Sequence, residues 1–249
     1  MECELGVFVN CPHPEIIESI GIAGFDFAVV DMEHSPLGPS DLYPLVLAAE
    51  RRDLSLVVRI PEKSDSFYKW CGDLGVNRIQ VPHIKDSRDV ESAVMSYFFS
   101  PKGERGLSRF VRAADYSAMP KDKYLSGAND SNQLILQIEG SQAVENLPEI
   151  LRALPKGTSI FIGPYDLSQS LGCPGEIWDE KVIEVMEDVI TQCQVAKIKV
   201  GTFTDSYDGL KFWAQRGLNF IEFASELNLF IESAQDLTSR FRALRGSIN

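Results

Sequence analysis

Eight short runs rich in β-branched and aromatic residues recur along this chain, each followed by a longer segment with helical spacing. The runs are residues 6–9, 26–31, 55–59, 78–82, 134–139, 159–162, 198–203 and 219–223. They are almost continuously apolar, the pattern of parallel strands buried on both faces. Helices are expected at 13–23, 39–51, 65–74, 87–98, 142–153, 179–196, 206–216 and 226–245. The first of these opens on His13-Pro14-Glu15, a proline tolerated in a first turn, and closes at Gly24. Eight βα units in 249 residues predict an α/β fold, the closed (β/α)8 TIM barrel, as a single domain over residues 1–249. An open doubly wound sheet would also alternate, but no Gly-x-Gly-x-x-Gly follows the first run, so a dinucleotide-binding sheet has no support. The irregular stretch 99–132 is long for a structureless loop and is expected to be partly helical.

Charge narrows the partners. Lys and Arg total 24 against 36 Asp and Glu, a formal net charge of −12. Such a surface repels nucleic acid and anionic lipid, so neither is expected as a partner. No apolar run approaches the roughly 20 residues of a membrane helix. The start, Met1-Glu2-Cys3-Glu4, is acidic and unlike a secretory signal. The five cysteines, Cys3, Cys11, Cys71, Cys173 and Cys193, form no Cys-x-x-Cys pair and read as free thiols of a cytoplasmic protein. Three histidines exclude a His-rich metal site, so any metal must lean on carboxylates.

In a barrel of this kind chemistry sits at the C-terminal ends of the strands. The second run ends in Asp31-Met32-Glu33-His34, the third in Arg59, the fifth in Gln137-Ile138-Glu139, and the sixth enters Gly163-Pro164-Tyr165-Asp166-Leu167-Ser168. Glu139 and Asp166 would stand on neighbouring strand tips. Two carboxylates with open water positions suit a hard divalent cation; either one alone also reads as a helix cap. Gly163-Pro164-Tyr165-Asp166 could present backbone N–H groups to an anion at a helix start. Arg59 could fork onto a carboxylate or keto oxygen, or form a structural salt bridge to Glu33 or Glu139. His34 could serve as a general base or only as a packed residue. His83 reads as a loop residue lining the mouth.

Five segments in register resemble the HpcH/HpaI aldolase family, the metal-dependent pyruvate aldolases. They are residues 23–34, Val57-Val58-Arg59, Pro101-Lys102-Gly103-Glu104-Arg105-Gly106, Gln137-Ile138-Glu139 and residues 162–168. The resemblance runs from about residue 5 to 240. It implies a class II aldolase that cleaves a 4-hydroxy-2-oxo acid to pyruvate and an aldehyde. It implies Glu139 and Asp166 as ligands of Mg²⁺, Mn²⁺ or Co²⁺, with Gln137 beside the ion. Arg59 then stabilises the enolate and His34 is the base, with Asp73 as its carboxylate partner. Gly163, Pro164 and Tyr165 line the substrate site, and N–H groups around Tyr165 and Asp166 hold the pyruvate carboxylate. The family also implies a homo-oligomer, a hexamer built as a trimer of dimers. Asp73 lies at the end of the third helix, away from the catalytic face, so a pairing with His34 implies a neighbouring subunit. The chain departs from the family pattern at His83, where Met is common, and at Tyr165, where a small residue is common. Residues 201–204 and Glu222-Phe223-Ala224 replace more apolar strand ends.

These residue types suit aldol chemistry. A divalent ion and Arg59 supply positive charge where an enolate develops. A base removes the 4-hydroxyl proton as the C3–C4 bond breaks. The other aldolase strategy, a lysine Schiff base, finds no lysine at a strand end; Lys199 lies inside the seventh run. Two further readings stay open: a lyase or decarboxylase acting on another 2-oxo acid such as oxaloacetate, and a catalytically silent barrel serving as a binding subunit.

Overall fold

A computed structural model describes residues 3–248; Met1 and Glu2, at the acidic start, lie outside the described residues. Eight parallel strands close in sequence order: β1 (Glu4–Val9), β2 (Phe27–Asp31), β3 (Ser55–Arg59), β4 (Arg78–Val81), β5 (Gln133–Ile138), β6 (Ser159–Ile162), β7 (Lys199–Thr204) and β8 (Phe220–Ser225). The expected (β/α)8 barrel is the fold observed, and the strand bounds differ from expectation by at most two residues.

The helices between strands are α1 (Pro14–Ala23), α2 (Pro39–Arg51), α3 (Asp65–Leu74), α4 (Ser87–Tyr97), α5 (Lys121–Ser131), α6 (Ser141–Glu145), α7 (Leu147–Ala153), α8 (Pro164–Ser170), α9 (Glu180–Val195), α10 (Tyr207–Ala214) and α11 (Glu226–Ile248). Gly24 and Gly75 end α1 and α3 in the left-handed conformation, at φ 90° and 92°. The single helix expected at 142–153 is two, because Asn146 closes α6 and Pro148 belongs to the first turn of α7. The stretch 99–132 holds α5 and a 3-10 turn at Arg112–Ser117, as its length implied. No helix among the described residues is long and apolar enough to cross a membrane.

Alternation along each strand decides what faces the barrel axis. Phe8, Phe27, Val29, Val57, Ile135, Phe161 and Phe220 form one buried cluster inside the barrel. Their neighbours Val7, Val9, Ala28, Val30, Val58, Leu134 and Leu136 pack outward in the larger core that includes the helices. Glycines make room for the interior rings. A Cβ on Gly6 would fall 2.2 Å from the Phe27 ring, and one on Gly201 2.4 Å from the Phe220 ring. The same parity, continued toward the strand ends, turns Asp31, Arg59, Gln80, Gln137, Glu139 and Glu222 inward, where an apolar layer gives way to a polar one.

Candidate active site

A cavity of about 350 Å³ opens at the C-terminal mouth of the barrel. Asp31, His34, Arg59, Gln137, Glu139, Gly163, Pro164, Tyr165 and Asp166 all line it. Of the nine residues expected at the site, the fold therefore brings eight together, and Asp73 is the exception.

The guanidinium of Arg59 is placed by Asp31. Its Nε donates to Asp31 Oδ1 at 2.9 Å and its Nη2 to Oδ2 at 2.8 Å, a bidentate pair across the Asp31–Arg59 register of β2 and β3. Nη1 lies 3.3 Å from Glu33 Oε2, and the group stacks over the Phe8 ring, 4.7 Å from its centroid. Of the carboxylate or keto oxygen onto which Arg59 could fork, a carboxylate, that of Asp31, takes the fork, and of the two salt bridges considered that to Glu33 is present among the described residues. The outer N–H groups of Nη1 and Nη2 remain for a ligand. Burial pushes the Asp31 carboxyl up, but the Arg59 fork and the N–H groups of His34 and Glu33 outweigh it and hold the group below the usual carboxylate range.

Glu139 is buried and held from two sides. His83 donates its backbone N–H to Oε1 at 2.6 Å, and the Gln137 amide donates to Oε2 at 2.5 Å. The His83 ring stands between two carboxylates, with Nδ1 2.9 Å from Glu139 and Nε2 2.9 Å from Glu33. His83 reaches this position with φ at 55°, a left-handed turn uncommon for a residue with a side chain. It is more than the loop residue expected at the mouth. Burial and the neighbouring Glu139 charge raise the Glu33 carboxyl above its ordinary value, against the pull of Arg59, His34 and His83.

Asp166 stands in the first turn of α8, and among the described residues no hydrogen bond or ion pair engages its carboxylate. Gly163 precedes it because Glu139 lies across that position: a Cβ there would sit 2.8 Å from Glu139 Oε2. Pro164 has no N–H, and Leu167 makes the first helical bond, to the Gly163 carbonyl. The N–H groups of Tyr165 and Asp166 are left without a helical partner, as at any helix start. Tyr165 donates its hydroxyl to Asp205 at 3.0 Å and packs on Phe203, narrowing the mouth on the β6–β7 side. Burial, then the Asp205 carboxylate, raises its phenol above the ordinary value.

His34 is largely exposed, and its nearest charged neighbour is Glu33, 3.9 Å away. Asp73 instead pairs with the buried Arg105 at 2.7 Å and lines an outer depression with Pro39, Tyr43 and Trp70. The structure does not bring Asp73 to His34 within one chain. Arg105 itself stacks on Phe99 at 4.4 Å, and Gly103 before it tolerates no Cβ, since one would meet the Val94 carbonyl at 2.5 Å. The Pro-x-Gly-x-Arg-Gly segment is thus a structural clasp on α3. Lys199, at the start of β7, pairs with Glu4 at the opposite end of the barrel from the mouth. A Schiff-base site at Lys199 is excluded by that placement.

Carboxylates, an oriented guanidinium and an imidazole at the C-terminal mouth of a parallel barrel mark the face on which a barrel enzyme carries its chemistry. Comparison with known proteins agrees. The HpcH/HpaI aldolase/citrate lyase family model matches residues 4–233, and the chain belongs to that family. It is 30% identical over 233 residues to the 2-dehydro-3,6-dideoxy-6-sulfogluconate aldolase of Pseudomonas putida, covering 94% of this chain and 90% of that one. It is 28% identical to the pyruvate aldolase of Rhizobium etli, covering 96% and 92%. Among solved structures, an HpcH/HpaI aldolase/citrate lyase family protein from Burkholderia cenocepacia superposes with a TM-score of 0.91 at 27% identity, covering 97% and 95%.

Proposed function

We propose that this protein is a divalent-metal-dependent aldolase that reversibly cleaves a 4-hydroxy-2-oxo acid to pyruvate and an aldehyde. The observation that carries this reading is the meeting of Glu139 and Asp166, from consecutive βα units, in one cavity with the Asp31-held Arg59. The donors fit a hard cation. Glu139 Oε2 keeps a lone pair beyond the Gln137 amide while Oε1 faces the His83 backbone N–H and ring, Asp166 has no hydrogen-bond or ion-pair partner among the described residues, and both are oxygen donors. Among the described residues no cluster of three or more His, Cys, Asp and Glu stands at metal-ligand spacing, so water and the substrate's own oxygens would complete the shell. Mg²⁺, Mn²⁺ or Co²⁺ held by Glu139 and Asp166 would polarise the carboxylate and keto oxygens of the substrate.

The chain's own groups do the rest. The N–H groups of Tyr165 and Asp166 take the carboxylate of the pyruvate half. Arg59, held by Asp31, turns its outer N–H groups toward the keto oxygen, where negative charge gathers as the C3–C4 bond breaks. His34 takes the 4-hydroxyl proton, the electron pair of that bond passes to the pyruvate half as an enolate, and the aldehyde leaves. Protonation of the enolate at C3 yields pyruvate.

The aldehyde half meets Phe8, Asn10, Tyr165, Phe203, Asp205 and Asn228. Arg59 is the one Lys or Arg among the described residues that line the cavity, and Asp31 already neutralises it. A neutral hydroxyaldehyde suits this lining better than an anionic one, such as the sulfonate in the name of the Pseudomonas relative. Pyruvate release from a panel of 4-hydroxy-2-oxo acids tests the reading. Turnover of substrates with neutral polar tails is expected. Turnover restricted to oxaloacetate would favour a decarboxylase, and none on any oxo acid would favour a silent barrel.

Among the described residues His34 has Glu33 at 3.9 Å, too far for a hydrogen bond that would orient its ring. The Asp73 carboxylate of a neighbouring subunit in a homo-oligomer fills that role in this reading. Mixing His34→Ala with Asp73→Ala protein under subunit exchange should then restore part of the activity that each lacks, because some sites draw both intact residues from different chains. A fully active Asp73→Ala variant would show instead that the residue only anchors Arg105.

A further inference from the structure

Inside the barrel, one layer below the cavity, Glu222 on β8 is fully buried. It is a charged residue type in an otherwise apolar stretch of β8, Phe220–Phe223, and nothing in the aldol chemistry above uses it. Its Oε2 accepts from the Gln80 amide at 3.3 Å, and its Oε1 has no hydrogen-bond partner among the described residues. The same Gln80 nitrogen donates to Gln137 Oε1 at 2.7 Å, and Gln137 donates to Glu139. Four side chains from β4, β5 and β8 thus form one continuous line from the barrel core to the mouth.

We propose that Glu222 is a positioning residue, the inner anchor of the chain Glu222–Gln80–Gln137–Glu139 that holds the Glu139 carboxylate in one orientation at the mouth. The inference rests on the reading of Glu139 as a metal ligand. The direction of each amide follows from its neighbour. The ionised Glu139 accepts only, so Gln137 must turn its NH₂ outward and its oxygen inward. That oxygen requires the NH₂ of Gln80, whose second hydrogen then needs an acceptor in the core, and Glu222 is that acceptor.

Charge supports the same role. Burial pushes the Glu222 carboxyl up to about 8, with Asp31 adding to it, against the pull of Arg59, Gln80 and Arg78. These are the polar and charged groups that face it from β2, β3 and β4; the β1 and β7 neighbours are Gly6 and Phe203, which do not titrate. At neutral pH Glu222 is therefore an uncharged acid that can accept from Gln80 without adding a second anion beneath Glu139. Above about pH 8 it ionises near Arg59 and opposes the negative charge of an enolate.

Two substitutions test this. Glu222→Met removes the acceptor, and Mn²⁺ affinity measured by calorimetric titration should fall about tenfold to a hundredfold, as for other outer partners of a metal ligand. Glu222→Gln keeps a neutral acceptor and should restore it. Turnover of the wild type should fall as pH rises through about 8, and this limb should be missing in Glu222→Gln.

A third readout needs no metal. A carboxyl raised in the folded state loses stability as pH climbs from its unfolded value toward its folded one. The Tm of Glu222→Gln should therefore gain on that of the wild type between about pH 5 and pH 8. This difference decides the point even if Glu222→Met fails to fold. Unaltered Mn²⁺ affinity in Glu222→Met, or a Tm gap independent of pH, overturns the inference. A wild type that binds no Mn²⁺ overturns instead the reading of Glu139 on which it rests.

Discussion

Glu139→Ala and Asp166→Ala are each expected to abolish Mn²⁺ binding and aldol cleavage, but with different effects on the fold. A hard cation held by two carboxylates loses half of its protein ligands with either change, and water alone does not replace a charged oxygen. Glu139 also satisfies the Gln137 amide and the His83 backbone N–H. Removing it strands the buried Gln137 amide, at about 1–3 kcal/mol, while the more exposed His83 N–H can turn to water. In a chain of this size each kcal/mol lowers Tm by roughly 2–4 °C. Asp166 makes no side-chain hydrogen bond among the described residues, so its loss should leave Tm almost unchanged. Calorimetric titration with Mn²⁺, beside thermal melts, separates the two effects. Wild-type affinity in both variants would contradict the assignment.

Arg59→Lys is expected to lose about a hundredfold to a thousandfold in kcat, the usual cost of removing a fixed donor aimed at developing negative charge. Lysine keeps the charge, but it cannot form the paired bonds to Asp31 that aim the guanidinium. Mn²⁺ should still bind, because the metal carboxylates are untouched. Arg59→Ala is the poorer probe. It leaves Asp31, only 2% exposed, without its cation, a loss of about 3–5 kcal/mol that would confound the kinetics. A near-normal kcat in Arg59→Lys would reduce Arg59 to a structural partner of Asp31.

Much of this site is legible in the sequence because strand parity is. Once 26–31 reads as a strand with Phe27 and Val29 turned inward, Asp31 must follow them, and the same count places Arg59, Gln137 and Glu139. The run of carboxylates at strand ends is then a statement about one barrel face. What stays hidden depends on contacts between distant segments. The Asp31–Arg59 pair needs the register of β2 against β3, which alternation alone does not fix. His83 reads as a loop residue because its left-handed turn, which carries both its N–H and its ring to Glu139, has no glycine or asparagine to announce it. Glu222 is visible as a polar residue in an apolar run, yet its line to Glu139 passes through Gln80 on a third strand. The break between α6 and α7 has a plain signal in Asn146-Leu147-Pro148 that helical spacing overrides. Asp73 meets Arg105 across the long β4–β5 connection, a contact beyond the reach of local pattern.

Metal-dependent enolate formation can be read without knowing the aldehyde. In D₂O, an enzyme that forms the pyruvate enolate exchanges the methyl protons of pyruvate for deuterium, and proton NMR follows the loss of the methyl signal. With Mg²⁺ or Mn²⁺ present, exchange well above the buffer rate is expected. It should stop on addition of a chelator, return when the metal is restored, and be absent in Glu139→Ala. Exchange that persists at full rate in the chelated protein, or none in the metal-loaded wild type, would contradict a metal-stabilised pyruvate enolate at this barrel mouth.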